Sequence, residues 1–121
     1  MKKSLYTLIL VLYTTFSFAL NYYVDATKGN DQNSGTTPTK AWKSIIKVNG
    51  VALLPGDSVL FKRGEVFRGN LIPKSGSASG SITYGDYGTG NKPKILGSIQ
   101  KNGLSDWVNE GGNIWHIVLI N

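Results

Sequence analysis

Cysteine is absent from the chain. No disulfide can staple it and no thiolate can hold a metal or attack a substrate, so packing and hydrogen bonding must supply its stability. Histidine occurs once, at His116, which excludes HExxH and the zinc spacings that need several ligands. No GxSxG elbow and no GK[ST] phosphate loop is present, and the glycine-rich GDYGTG at 85–90 ends a strand instead of opening a helix. Charge is never concentrated: 13 Lys and Arg against 7 Asp and Glu give a formal +6 spread along the chain, without the basic run expected of a nucleic-acid-binding protein. Long helical periodicity is also missing, whereas 15 glycines punctuate the sequence with turns. An all-β fold with short strands is expected.

The first 19 residues differ from the rest. Lys2 and Lys3 precede an apolar run from Leu5 to Phe18, with Ser17 and Ala19 at the small-residue positions of a cleavage site, the pattern of a secretory signal peptide cut after Ala19. The run is interrupted by Tyr13, Thr14, Thr15 and Ser17 and falls short of the roughly 18 apolar residues needed to span a bilayer. Cleavage would remove both lysines, lower the formal charge from +6 to +4, and leave a mildly basic product that is secreted, periplasmic or on the cell surface, with no stable membrane span.

In the remainder, NYYVDA at 21–26 reads as a strand with Tyr22 and Val24 on one face. The polar loop 27–40 follows, and Asp25, Asp31 and Asn33 with Asn30 offer oxygen ligands for Ca²⁺, although their spacing is not that of an EF-hand and turns need the same residue types. AWKSIIKV at 41–48 reads as an amphipathic helix with Thr39 as N-cap, Trp42, Ile45 and Ile46 on its apolar face and Asn49-Gly50 as its left-handed stop. Pro55-Gly56-Asp57 makes a turn in which the Asp57 carboxylate can bind backbone N–H groups. A strand follows, with Val59 and Phe61 on one face and Ser58, Leu60 and Lys62 on the other, until Gly64 breaks it. Further strands are expected at 82–87, with Ile82 and Tyr84 on one face, at 93–97 and at 114–120.

The segment 104–112 reads as a loop holding Trp107, Asp106 and Glu110. Paired carboxylates carry out glycoside hydrolysis, but nothing in the sequence fixes the separation of this pair. His116 shares a face with Ile114 and Val118, which suits a structural role. An apolar strand followed directly by Asn121 would leave an unpaired edge, so the chain is expected to be a fragment or an early-terminated reading frame.

Taken together, YYVDATKGNDQNSGTTPTKAWKSI, LLPGDSVLFKRGEVFRG and SGSITYGDYGTGNKPKILGS resemble the N-terminal region of secreted right-handed parallel β-helix proteins of the pectate-lyase-like superfamily, over Asn21 to Ser98. The resemblance implies three parts: the signal peptide 1–19, an N-terminal strand, loop and capping helix at 20–54, and the first coils of an incomplete solenoid at 55–121. Val59, Phe61, Ile82, Tyr84 and the 114–120 strand would then stack in parallel. It further implies an exported polysaccharide lyase acting on uronate-containing glycans by β-elimination, with a hydrolase on the same fold or a non-catalytic glycan-binding or adhesion protein as alternatives. The family's catalytic residues lie on central coils and have no counterparts in this sequence. Lys62, Arg63 and Arg68 are the candidates for contact with an acidic extracellular polysaccharide, because arginine offers a bidentate fork to carboxylates. Ca²⁺ is the one cofactor to consider, no nucleic-acid partner is expected, and the oligomeric state is left open.

Overall fold

The computed structural model describes residues 18–117. The proposed signal peptide therefore lies almost wholly outside the described residues, as does the end of the 114–120 strand. The described chain is mostly strand with little helix, and its sheets are small and not closed.

Strand β1 (Asn21–Val24) pairs in parallel with β2 (Ser58–Lys62), and β2 pairs in parallel with β4 (Thr83–Tyr87). A second parallel ladder joins β3 (Val66–Arg68) to β5 (Lys94–Leu96). The chain thus runs β2, turn, β3, and then repeats that path one layer on as β4, turn, β5. Backbone bonds outside the strands continue the layering, from Thr83 N to Asp57 O, Gly64 N to Asn91 O and Gly69 N to Leu96 O. Gly64 and Gly69 adopt positive φ where the path bends.

Period-two alternation sends Val59 and Phe61 inward, where both are buried, and leaves Ser58, Leu60 and Lys62 partly exposed, as the sequence suggested. The core comprises Val24, Trp42, Ile45, Val48, Val59, Phe61 and Phe67. Phe61 and Phe67 meet edge to face at 5.0 Å, tying the two ladders together. Each of these fully buried apolar side chains contributes about 1.5–3 kcal/mol relative to exposure. Asp57 is also buried, and its carboxylate accepts from Leu54 N at 2.8 Å and from Leu20 N at 2.9 Å, so it closes the Pro-Gly-Asp turn and also fastens the segment before β1.

Several expectations need correction. The helix α1 spans Ile45–Gly50, not 41–48, and its N-cap is Ser44, whose hydroxyl accepts from Lys47 N; Thr39 sits instead in a 3₁₀ turn at Pro38–Lys40. Gly50 is the last helical residue and not a left-handed stop, since the chain leaves through an extended Val51. Trp42 precedes the helix and bridges to Val24, its ring stacked on Tyr22 at 4.7 Å and its Nε1 donating to Asn33 O at 2.9 Å. Gly35, at φ +78°, packs so close to the indole that a Cβ there would collide with the ring. Ile45 and Val48 carry the apolar face, while Ile46 is 80% exposed.

The stacking register also differs. Val59 pairs with Tyr84, which leaves Ile82 ahead of the strand. The segment read as a loop at 104–112 forms a 3₁₀ turn (Leu104–Asp106) and then β6 (Trp107–Gly111). Strand β7 (Ile114–Ile117) pairs antiparallel with β6 instead of joining the parallel stack. Gly111, Gly112 and Asn113 all take positive φ and reverse the chain, which is the physical reason for a hairpin here.

Candidate functional site

The outward face of β1, β2 and β4 brings chemistry together. Val24 is paired with Phe61 and Lys62 with Tyr87, so Asp25, one residue beyond Val24, lies level with Lys62 and Tyr87 at the C-terminal ends of three parallel strands. Asp25 Oδ2 is 2.7 Å from Lys62 Nζ. Its Oδ1 accepts from Thr27 N at 3.0 Å and Lys28 N at 2.8 Å, so an Asx-type turn fixes the carboxylate before the lysine reaches it. Glu65 adds a second carboxylate, 3.9 Å from Lys62 Nζ and bound by the Thr27 hydroxyl at 2.8 Å. Tyr87 packs edge-on against Tyr23 at 5.0 Å, and its hydroxyl is buried without a hydrogen-bond partner among the described residues. Asp25, Lys28, Pro38, Thr39, Lys62 and Tyr87 together line a cavity of about 380 Å³.

The electrostatics decide what this cavity can do. Burial pushes the Asp25 carboxyl up, but the Lys28 N–H, the Lys62 ammonium and the Thr27 N–H together outweigh it and hold the group below its ordinary value. Lys62 is raised, chiefly by its bond to Asp25. Burial raises the Tyr87 phenol, and the Asp25 charge adds to it. Near neutral pH the site therefore presents a carboxylate, an ammonium and a neutral phenol, none poised to exchange a proton. Such a set of groups can donate and accept hydrogen bonds without giving up or taking a proton.

The residues singled out in the sequence are distributed unevenly. Asp25, named as a metal ligand, and Lys62, named as a glycan contact, prove to be partners. Arg63 Nε pairs with Asp86 at 2.7 Å and Arg68 donates to Ser98 Oγ at 3.2 Å, so each of the three basic residues has a different partner. Asp31 Oδ1 accepts from Lys43 N and Ser44 N, and its Oδ2 from the Ser44 hydroxyl. Asn33 donates a side-chain N–H to Ala41 O, and its backbone carbonyl accepts from Trp42 Nε1. The carboxylate oxygens of Asp25 and Asp31 are thus engaged with the chain itself, and among the described residues no group of three or more His, Cys, Asp or Glu is placed to share a metal ion.

A second hollow of about 360 Å³ beside Asp31 and α1 offers only that engaged carboxylate together with Ile46, Lys47, Gln32, Gly50 and Val51. Asp106 Oδ2 accepts from Gly103 N and its Oδ1 lies 3.6 Å from Lys101. Glu110 Oε1 lies 2.9 Å from His116 Nδ1, without the geometry of a hydrogen bond. These two carboxylates therefore face different partners. Sequence reasoning missed Tyr87, whose side of the strand follows from alternation but whose place beside Lys62 depends on a register that no local signal encodes.

No family model matches the chain. Lacto-N-biosidase of Bifidobacterium longum subsp. longum is 39% identical over 101 residues, 78% of this chain and 6% of that protein. Alpha-1,3-galactosidase A of Akkermansia muciniphila is 34% identical over 62 residues, 51% of this chain and 10% of that protein. Among solved structures, a GH136 lacto-N-biosidase from Eubacterium ramulus superposes with a TM-score of 0.56 at 39% identity, covering 61% of this chain and 12% of that one. A rhamnogalacturonan lyase superposes with a TM-score of 0.50 at 27% identity, covering 64% and 22%. The chain thus spans 6% and 10% of the length of the curated relatives it matches.

Proposed function

We propose that this chain is the opening segment of an exported carbohydrate-active protein built as a right-handed parallel β-helix, and that the protein cleaves glycosidic bonds by hydrolysis. The observation that carries the reading is the 39% identity to a lacto-N-biosidase over 78% of the chain. Two parallel ladders, in which β4 and β5 retrace β2 and β3, support a solenoid, with α1 covering the core at its start. The names of the relatives favour hydrolysis over the β-elimination expected from the sequence, and the rhamnogalacturonan lyase supports elimination only at 27% identity. In this reading the cutting carboxylates belong to elements beyond the described residues, and the present segment caps the solenoid and contributes to glycan contact.

The test is cleavage by the longest natural protein that contains this chain, offered neutral galactose-containing oligosaccharides and uronate polymers. New reducing ends from the neutral oligosaccharides, with no unsaturated-uronate absorbance, are expected. Unsaturated uronate would instead assign the lyase reaction, and no cleavage of either class would leave a non-catalytic glycan-binding protein.

A further inference from the structure

We propose that removal of the leader places the new N-terminus in an ion pair with a buried carboxylate: the α-ammonium of Leu20 binds Asp57. This rests on the export in the reading above and not on glycan cleavage. The starting observation joins two features that stand far apart in the sequence. The cleavage pattern, with Ser17 and Ala19 at the small-residue positions, ends at the Ala19–Leu20 amide. The nitrogen of that amide is the one that donates to Asp57 Oδ1 at 2.9 Å. A cut one residue earlier or later would free a different nitrogen.

Asp57 is placed to receive a cation and has none. It is 0% exposed, its Oδ2 accepts from Leu54 N and its Oδ1 from Leu20 N, and no lysine, arginine or histidine forms an ion pair with it among the described residues. Charges taken out of water are ordinarily paired. Burial of this carboxylate is a cost of the fold with or without the cut, so a positive charge added beside it is attractive. The free α-amine has an ordinary pKa of roughly 7.7–8.0 and carries that charge at neutral pH.

The step is amide hydrolysis by a leader peptidase. The water oxygen bonds to the Ala19 carbonyl carbon as the C–N bond breaks, Ala19 leaves with the leader as a carboxylate, and both water protons end on the Leu20 nitrogen as –NH₃⁺. Phe18, Ala19 and Leu20 are all exposed, so the residues flanking the bond are not enclosed by the fold. The Leu20 carbonyl accepts from Ser58 N at 2.9 Å and β1 begins at Asn21, so the residue that gains the charge is already held on its other side. The ion pair then fastens the start of β1 to the turn that opens β2. An unprocessed chain keeps only the N–H of a neutral amide there, a weaker donor to a carboxylate than an ammonium.

The test exports the longest natural protein containing this chain from its own leader, reads its N-terminus by mass spectrometry, and then measures acylation of the α-amine at pH 7 relative to the same protein unfolded in urea. A product beginning at Leu20 is expected. Its amine should react about tenfold more slowly than that of a variant beginning at Ala19, which keeps the Leu20 amide and moves the ammonium one residue away; tenfold corresponds to an amine held about one pH unit above its ordinary value. Asp57→Asn keeps a side-chain oxygen but removes the charge, and is expected to bring the Leu20 amine to the faster rate. If Asp57→Asn fails to fold, the variant beginning at Ala19 decides the comparison. A leader that stays attached, or a cut at another bond, would overturn the processing. A folded Leu20 product that is acylated as fast as the Ala19 variant, or that stays slow in folded Asp57→Asn, would overturn the ion pair and leave export standing.

Discussion

Asp25 and Asp31 stand six positions apart around one polar loop, and the sequence offered both for the same metal. Their surroundings gave them separate tasks. Asp31 collects Lys43 N at 2.8 Å, Ser44 N at 2.9 Å and the Ser44 hydroxyl at 2.7 Å, and so organises the entry to α1. Asp31→Ala strands those donors and is expected to lower stability by about 2–3 kcal/mol in urea denaturation, with Asp31→Asn losing less. Burial raises both carboxyls, but their hydrogen bonds and nearby lysines outweigh it, so both sit below the ordinary 3.8. The sign follows: the unfolded chain takes up these protons first, so their contribution is complete above 3.8 and is lost as pH falls through the lowered values. A melting temperature that drops on acidification below that point, with a shallower drop in Asp31→Ala, is the expected record.

The same carboxylate explains why the helix was misplaced. The i, i+3, i+4 spacing of Trp42, Ile45 and Ile46 is genuine, but Asp31 holds Lys43 and Ser44 by their backbone N–H groups, and Ser44 is extended at φ −116°, ψ 153°. No helix can start until Ile45. Trp42 then joins the edge of β1, and the buried face rotates to Ile45 and Val48. Ile45→Ala should therefore cost about 2–4 kcal/mol in denaturant titration, while Ile46→Gln should change stability by less than about 0.5 kcal/mol. The reverse order would restore the helical face drawn from periodicity. Strand β2 was legible because its alternation is strict and its turn is marked by Pro55-Gly56-Asp57. The β6–β7 hairpin was legible in principle, since Gly111-Gly112-Asn113 between apolar alternations is a reversal signal, but Asp106 and Glu110 drew the segment toward a loop.

For the whole molecule, the sequence conveyed a chain made mostly of strands and not the register in which they pair. Apolar alternation tells which face of β2 or β4 is buried, yet the pairing of Val59 with Tyr84 and of Lys62 with Tyr87 depends on the length of the intervening path. That is why β2 was readable while the Asp25–Lys62–Tyr87 row was not. The layered ladders also leave Ile95 and Leu96 of β5 more than a third exposed although Phe67 beneath Ile95 is buried, as expected where a further layer could add. Among the described residues no helix is long and apolar enough to cross a membrane. The most direct test of the proposed chemistry is product mass after glycan cleavage in heavy-oxygen water by the longest natural protein containing this chain. Hydrolysis predicts one heavy oxygen incorporated for every bond broken. Cleavage without incorporation, leaving an unsaturated sugar end, would contradict it.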